Sequence, residues 1–365
     1  MNKTHKIGFP PVHFVHKGLY SWPELEVGKD QVSTNILLRI ANGRDAWIIN
    51  TYLRLLFAGH QVTISDRFEP DALCVAHHDD IKPGPEIWKS FVVAVRADRD
   101  RTFICDTEIV QSPASSEYLH SYYLPHWTQP GLIPRDPARG SVIKRMGYLG
   151  TLQNLAARFR TQDFAAALFS IGVEFVVRED PATWHDYSDL DLILAIRDGT
   201  PYFLASKPAT KLFNAWRAGC PAMVGAEPAY AYHQKTPLDY IQVEKTTEVI
   251  SAILRLRRDP ALYQRYTEMA IERSAEVRES EILKCWVELL QGPILERYKI
   301  WRSSHILQRR GKSLARFYYR AFRKRLRGHA YCRGYDFQGR PMTTNSYKRR
   351  IANWADGVVS NLEKH

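Results

Sequence analysis

The stretch Ser206–Tyr230, SKPATKLFNAWRAGCPAMVGAEPAY, limits what this chain can fold into more than any other. Pro208 suits the first position of a helix. From there to Ala218 the residues Leu212, Phe213, Ala215 and Trp216 fall at helical spacing. Gly219 stops that helix in the left-handed manner that only glycine adopts cheaply. Pro221–Gly225 is then a short apolar run suited to a buried strand, and Glu227 and Tyr230 follow in the next loop. Loop, helix, strand and loop in that order belong to an α/β sheet. The start of the helix gathers Lys207, Thr210 and Lys211 beside free backbone N–H groups and the positive end of the helix dipole. That combination suits a phosphate or pyrophosphate.

The rest of the chain repeats the alternation. KIGFPPVHFV at 6–15 predicts a first strand interrupted by prolines, and Trp47–Ala58 predicts a helix ended by Gly59. Strands are expected at 61–64, 71–76, 91–95 and 102–105. Gln129–Arg139 is rich in proline, which breaks regular structure and marks a boundary near 140. Beyond it the pattern predicts strands at 143–148, 173–177, 191–196 and 240–243. Helices are expected over 152–170, from Thr246 or Thr247, and over 260–278. Apolar strands alternating with helices imply a parallel, doubly wound sheet, here twice, with a ligand cleft at the strand ends.

Composition settles what surrounds this frame. At 365 residues the chain has room for two domains, and 45% hydrophobic with 25% charged residues is globular. No run approaches the ~18 apolar residues that cross a bilayer. The opening residues carry no signal-peptide core, so a cytoplasmic protein is expected, peripheral on the inner membrane face if the tail binds lipid. Five cysteines at 74, 105, 220, 285 and 332 form no C-x-x-C pair, which argues against a disulfide frame or structural zinc. The net charge of +12 is uneven. Residues 297–350 hold 17 Lys and Arg against one acid, Asp336, while residues 1–296 sum to −3.

Asn214-Ala215-Trp216-Arg217-Ala218-Gly219-Cys220-Pro221 resembles the donor-binding pattern in the C-terminal domain of GT-B fold glycosyltransferases. The likeness extends less sharply over about 145–280, and the first 140 residues match in outline. The resemblance implies two Rossmann-like domains facing a cleft: 1–140 on the acceptor side, 141–292 binding the nucleotide sugar, and 293–365 a basic helical extension partly crossing back. It implies transfer of a sugar from a nucleotide-diphosphate donor to a hydroxyl of a glycan or lipid-linked acceptor, with no cofactor and no metal required. The commonest retaining families place two glutamates eight positions apart; here those positions hold Ser206 and Asn214.

Candidate residues follow. Lys207, Thr210 and Lys211 would hold the diphosphate, and Gly150-Thr151, between a strand and a helix, would let a phosphate approach the backbone or be an ordinary turn. Arg178 and Arg197 each follow a buried strand, where an arginine can grip a diphosphate or pair with a neighbouring acid such as Glu179 or Asp198. Asn214 and Glu227 would contact ribose or sugar hydroxyls, Glu227 being alternatively a helix cap. Trp184 or Tyr187 would stack on the base or form a packing lid. An inverting enzyme needs a general base, for which His126, Asp106 and His13 are candidates; a retaining one needs none. Asp98-Arg99-Asp100 and His77-His78-Asp79-Asp80 imitate metal motifs and read as polar loops.

The tail, Ile294–Arg327, interleaves aromatics with arginines at spacing that predicts an amphipathic basic helix. It would suit an anionic membrane surface, pack back on the first domain, or bind nucleic acid, the last being the least expected partner of a body with no second basic surface.

Overall fold

A computed structural model describes residues 10–26, 33–116 and 120–332. Parts of the expected first strand (6–9) and of the basic tail (333–365) lie outside the described residues.

The first half runs β1 Val12–Val15, α1 Gly43–Trp47, α2 Ile49–Phe57, β2 Val62–Ser65, β3 Leu73–His77, α3 Glu86–Lys89, β4 Phe91–Val95, β5 Thr107–Val110 and β6 Ser121–Tyr123. All six strands are parallel, in the order β2-β1-β3-β4-β5-β6. The expected helix over 47–58 is interrupted at Ile48 and begins earlier, because the Asn42 side chain accepts from Asp45 N at 3.0 Å and caps it.

The strand expected at 102–105 is absent. Phe103 has φ +60°, which no extended strand accommodates, and the strand forms two residues beyond its expected end, at Thr107–Val110. Asp106 therefore precedes a strand instead of following one.

The second half runs β7 Arg145–Leu149, α4 Gln162–Ser170, β8 Glu174–Arg178, β9 Leu192–Ala195, α5 Pro201–Ala205, α6 Thr210–Ala218, β10 Ala222–Val224, α7 Pro228–His233, β11 Ile241–Gln242, α8 Thr246–Arg258 and α9 Pro260–Ser274. Its five parallel strands lie in the order β11-β10-β9-β7-β8. The helix expected over 152–170 is shorter. Two single turns precede it, burying Leu155 and Phe159, and the Thr161 side chain, accepting from Phe164 N at 3.2 Å, starts the regular part. The focal helix α6 ends where expected, with Gly219 at φ +67°.

Each sheet is covered on both faces. One core of the second sheet joins Met146, Leu192 and Met223 to Val249 and Ile253 of α8, and the other joins Ile193 and Val224 to Leu212 and Trp216 of α6. The first sheet's main core contains residues from the far end of the chain. Ile282 and Trp286 of α10 (Glu279–Leu289), and Tyr298 and Trp301 of α11 (Leu295–Ser303), pack with Phe14, Leu53 and Phe91. Gly292 and Pro293 kink the chain between those helices. The return to the first domain is thus under way by Ile282, ahead of the expected 293, because α10 carries its apolar stripe on the side facing that sheet.

The last helix, α12 Ile306–Cys332, lies on the first domain beside α3. It packs by its polar edge. Arg309 reaches Asp71 at 2.6 Å, Ser313 donates to Ile87 O at 2.9 Å, and Arg316 pairs with Asp106 at 2.7 Å.

Candidate functional site

Both sheets aim their carboxyl ends at one cleft of ≈ 790 Å³, lined from both halves. Strand order decides which loops reach it. The first sheet reverses direction between β1 and β3, the second between β7 and β9. Such switch points leave a crevice beyond the strand ends. His16 follows β1, His77 ends β3, Gly150 follows β7 and Arg197 follows β9, and all four line the cleft.

The second-domain wall is cationic. Gly150 has φ +139°, a conformation that favours glycine, and a Cβ there would fall 2.5 Å from Lys211 Nζ and displace the ammonium from its present position. Lys211 donates to Leu149 O and its ammonium lies 4.5 Å from the Tyr148 ring centre. Burial, reinforced by the Arg197 charge, pulls the Lys211 pKa down to about 7. Lys207 donates to Asp98 at 2.8 Å, a contact between the two halves; burial lowers its pKa, although Asp98 opposes the shift. Thr210 opens α6, and its buried Oγ1 has no hydrogen-bond partner. Arg197 is ion-paired with Glu227, whose other carboxylate oxygen is buried without a partner. Burial raises the Glu227 pKa against the opposing pull of Arg197.

The first-domain wall carries histidines. Asp45 Oδ1 accepts from His16 Nε2 at 2.8 Å. The carboxylate only accepts, so Nε2 carries the donated proton, and the other ring nitrogen, Nδ1, is buried with no partner. Gly18 makes room for the ring: a Cβ there would come 3.1 Å from His16 Cε1. His126 donates from Nδ1 to Trp127 O at 2.7 Å and packs edge-on to Trp47, 4.9 Å between ring centres. Burial lowers its pKa, as it lowers that of His77 to about 4, so both rings are neutral at pH 7. Arg99 donates to Asp79 at 2.9 Å and to Asp98 at 3.1 Å. Ala97, just before, is held at φ +49°, a strained conformation at the cleft wall.

Gly150, Thr151, Arg197, Lys207, Thr210, Lys211, Asn214 and His126 thus all line the cleft, as do Trp184 and Tyr187. Beyond the contacts already given, Asn214 Oδ1 accepts from Gln129 N at 2.9 Å, and Trp184 Nε1 donates to Arg178 O at 2.9 Å. Glu227 stands behind Arg197, outside the lining. Its backbone, not its carboxylate, meets the start of α7.

Besides Glu227, three candidates are not brought to the cleft. Asp106 directly precedes β5, at the opposite end of the sheet from the crevice, and accepts from Val92 N and Arg316. His13 lies within β1 and bonds Thr63 Oγ1, Ser65 Oγ and Arg67 O, all at or beside the edge strand β2. Arg178 ends β8, the outer strand of its sheet, and ties down the following loop through Asp189 at 2.6 Å and Asp186 O.

The reading by residue type missed the His16–Asp45 pair. The signal available was a histidine directly after the first strand; its acid partner lies 29 residues away. The Asp98-Arg99-Asp100 and His77-His78-Asp79-Asp80 stretches, read from the sequence as polar loops, contribute Asp98, Arg99, His77 and Asp79 to the cleft wall. Among the described residues no three His, Cys, Asp or Glu side chains gather in a metal-binding group. No helix among them is long and apolar enough to cross a membrane.

No family model and no curated protein matches the sequence. Solved structures similar in outline include sucrose-phosphate synthase from Thermosynechococcus elongatus, at 12% identity and TM-score 0.48, covering 79% of this chain and 100% of that one. AviGT4, a glycosyltransferase of avilamycin A biosynthesis, is 15% identical with TM-score 0.47, over 80% and 98%. HepE of Anabaena, solved with UDP and glucose, is 11% identical with TM-score 0.43, over 79% and 98%. The architecture rests on this chain's own topology: two parallel doubly wound sheets share a cleft, and the C-terminal helices return to the first, which is the GT-B arrangement.

Proposed function

We propose that this protein is a nucleotide-sugar-dependent glycosyltransferase. It moves a sugar from a nucleoside-diphosphate donor to a hydroxyl of a glycan or lipid-linked acceptor. The observation that carries the reading is the convergence of Gly150, the start of α6, Arg197, Lys207 and Lys211 on one end of a two-domain cleft. When the bond between the sugar's anomeric carbon and the diphosphate oxygen breaks, the leaving group gains negative charge. Cations and backbone N–H groups already in place stabilise that charge without a metal. Thr210 Oγ1, buried and unpartnered, would donate to a phosphate oxygen. On the facing wall His16 Nδ1 would accept the acceptor's hydroxyl proton, with Asp45 holding the ring and stabilising the imidazolium. A base-assisted single displacement inverts the anomeric centre.

A thermal-shift panel of UDP, GDP, ADP, dTDP and CMP, with and without magnesium, tests the reading. One diphosphate should raise the melting temperature without magnesium, since it binds the native state alone. Joint replacement Lys207→Ala and Lys211→Ala should abolish that shift. A flat panel, or a shift that survives the double replacement, rejects the assignment. A second reading, a catalytically silent nucleotide-binding protein, is favoured by the engagement of Lys207 with Asp98 and of Asn214 with Gln129. It predicts the same shifts but no consumption of the matching nucleotide sugar with any hydroxyl acceptor.

A further inference from the structure

An amphipathic helix on a globular surface normally turns its apolar face inward. The last helix does the reverse. Arg309, Ser313, Arg316 and Arg320 recur at spacings of three and four and face the first domain. Three of them are tied to Asp71, Ile87 O and Asp106, and burial lowers the pKa of the fourth. The opposite stripe is apolar and open: Leu307 is 67% exposed, Leu314 49%, Tyr318 69% and Phe322 57%. These recur at seven, four and four residues, so they form one line along the helix. Arg310, Lys312 and Arg325 are exposed on the same helix. Over Ile306–Cys332 the sequence holds nine Lys and Arg and no Asp or Glu.

We infer that this outward stripe is a docking surface for an anionic lipid bilayer, lying flat in the headgroup layer. The charge decides among occupants. A second copy seated on the same stripe would bring two acid-free cationic helices together. A nucleic acid would be met mainly by leucine and aromatic side chains, because Arg309 and Arg316 are already paired with acids of the body. An anionic bilayer satisfies both features at once: the apolar line enters the acyl boundary, and the exposed cations meet lipid phosphates while their stems cover apolar surface. The inference is independent of the cleft chemistry.

The test is co-sedimentation of the full chain with vesicles rich in phosphatidylglycerol, against vesicles of phosphatidylcholine alone. The protein should pellet with the anionic vesicles and be released by salt. The triple replacement Leu314→Ser, Tyr318→Ser, Phe322→Ser should weaken retention about tenfold or more, with unchanged melting temperature and unchanged nucleotide shift. Arg310→Gln with Arg325→Gln should weaken it roughly fivefold per cation removed. Equal retention of wild type and triple variant overturns the inference, as does equal binding to phosphatidylcholine. Retention on RNA without retention on vesicles, or a dimer that the triple variant converts to monomer without vesicle binding, also overturns it.

Discussion

The two walls of the cleft are built from opposite chemistry. The second domain offers cations at the end of one sheet: Arg197, Lys207 and Lys211 around a glycine turn and a helix start. The first domain offers buried imidazoles, with His16 held by Asp45 and His126 and His77 neutral, and its cleft arginines, Arg44 and Arg99, are tied to acids. A wall of arginine and lysine side chains, with Lys211 gaining its proton as the nucleotide binds, suits a group that becomes more negative during reaction. A wall of neutral nitrogen bases suits one that must lose a proton. On the proposed function, charge-holding falls to one domain and deprotonation of the acceptor to the other, so substitutions on the two walls should fail in different ways.

The largest separation is expected from His16→Asn. Asparagine can still bond Asp45 but cannot take a proton, so turnover should fall by about 10²–10⁴-fold. The diphosphate shift should be unchanged, because no cation is touched. Steady-state rates beside the thermal-shift assay read both quantities. Turnover within a few-fold of wild type would break the division and move the proton to another group; lost nucleotide binding would place His16 on the wrong wall.

Next comes Arg197→Met, which strips the cationic wall of its ion pair and leaves Glu227 buried alone. One Glu227 oxygen already has no partner, so the variant would hold an uncompensated carboxylate. Breaking a buried pair from one side costs roughly 3–5 kcal/mol. Denaturant unfolding should show that loss near neutral pH and a partial recovery in acid, where Glu227 can protonate. Stability unchanged from wild type would mean that Glu227 was never held by this pair.

These residues also mark how far the sequence could be read. The focal helix, its glycine stop and the Gly150 turn were legible because each depends on neighbours in the chain: a periodic apolar stripe, a left-handed cap, a strand that ends in glycine. Arg178 and Arg197 carry the same local signal, an arginine after a buried strand. Only strand order separates them, since β8 is an outer strand and β9 borders the switch point. Asp106 failed through a shift of a few residues, because Phe103 at positive φ postponed the strand and put the acid at its wrong end. His16 went unrecognised because Asp45 makes it distinctive, and a contact across 29 residues leaves no periodic trace. The basic helix was legible as a helix. Which edge it buries was not, because hydrophobic patterning argues for the edge that stays outside.

The finest test of the comparison is a single proton at Lys211. Its native pKa of about 7 lies below the ~10.4 of a free lysine, because burial beside Arg197 disfavours the charged form. Between those values the unfolded chain binds more protons than the folded one. The contribution of this group to stability therefore rises with pH through that window and is lost as pH falls toward 7. A bound diphosphate reverses the balance, since negative charge beside the amine favours its ammonium form. At a pH of about 8.5, between the two values, nucleotide binding should then take up close to one proton. Calorimetric titration in two buffers of different ionisation heat measures that uptake directly. It should vanish in Lys211→Met and persist in His16→Asn, because only one wall exchanges a proton with the nucleotide. Uptake that survives Lys211→Met, or that disappears with His16→Asn, would assign the proton to the facing histidines and dissolve the division between the two walls.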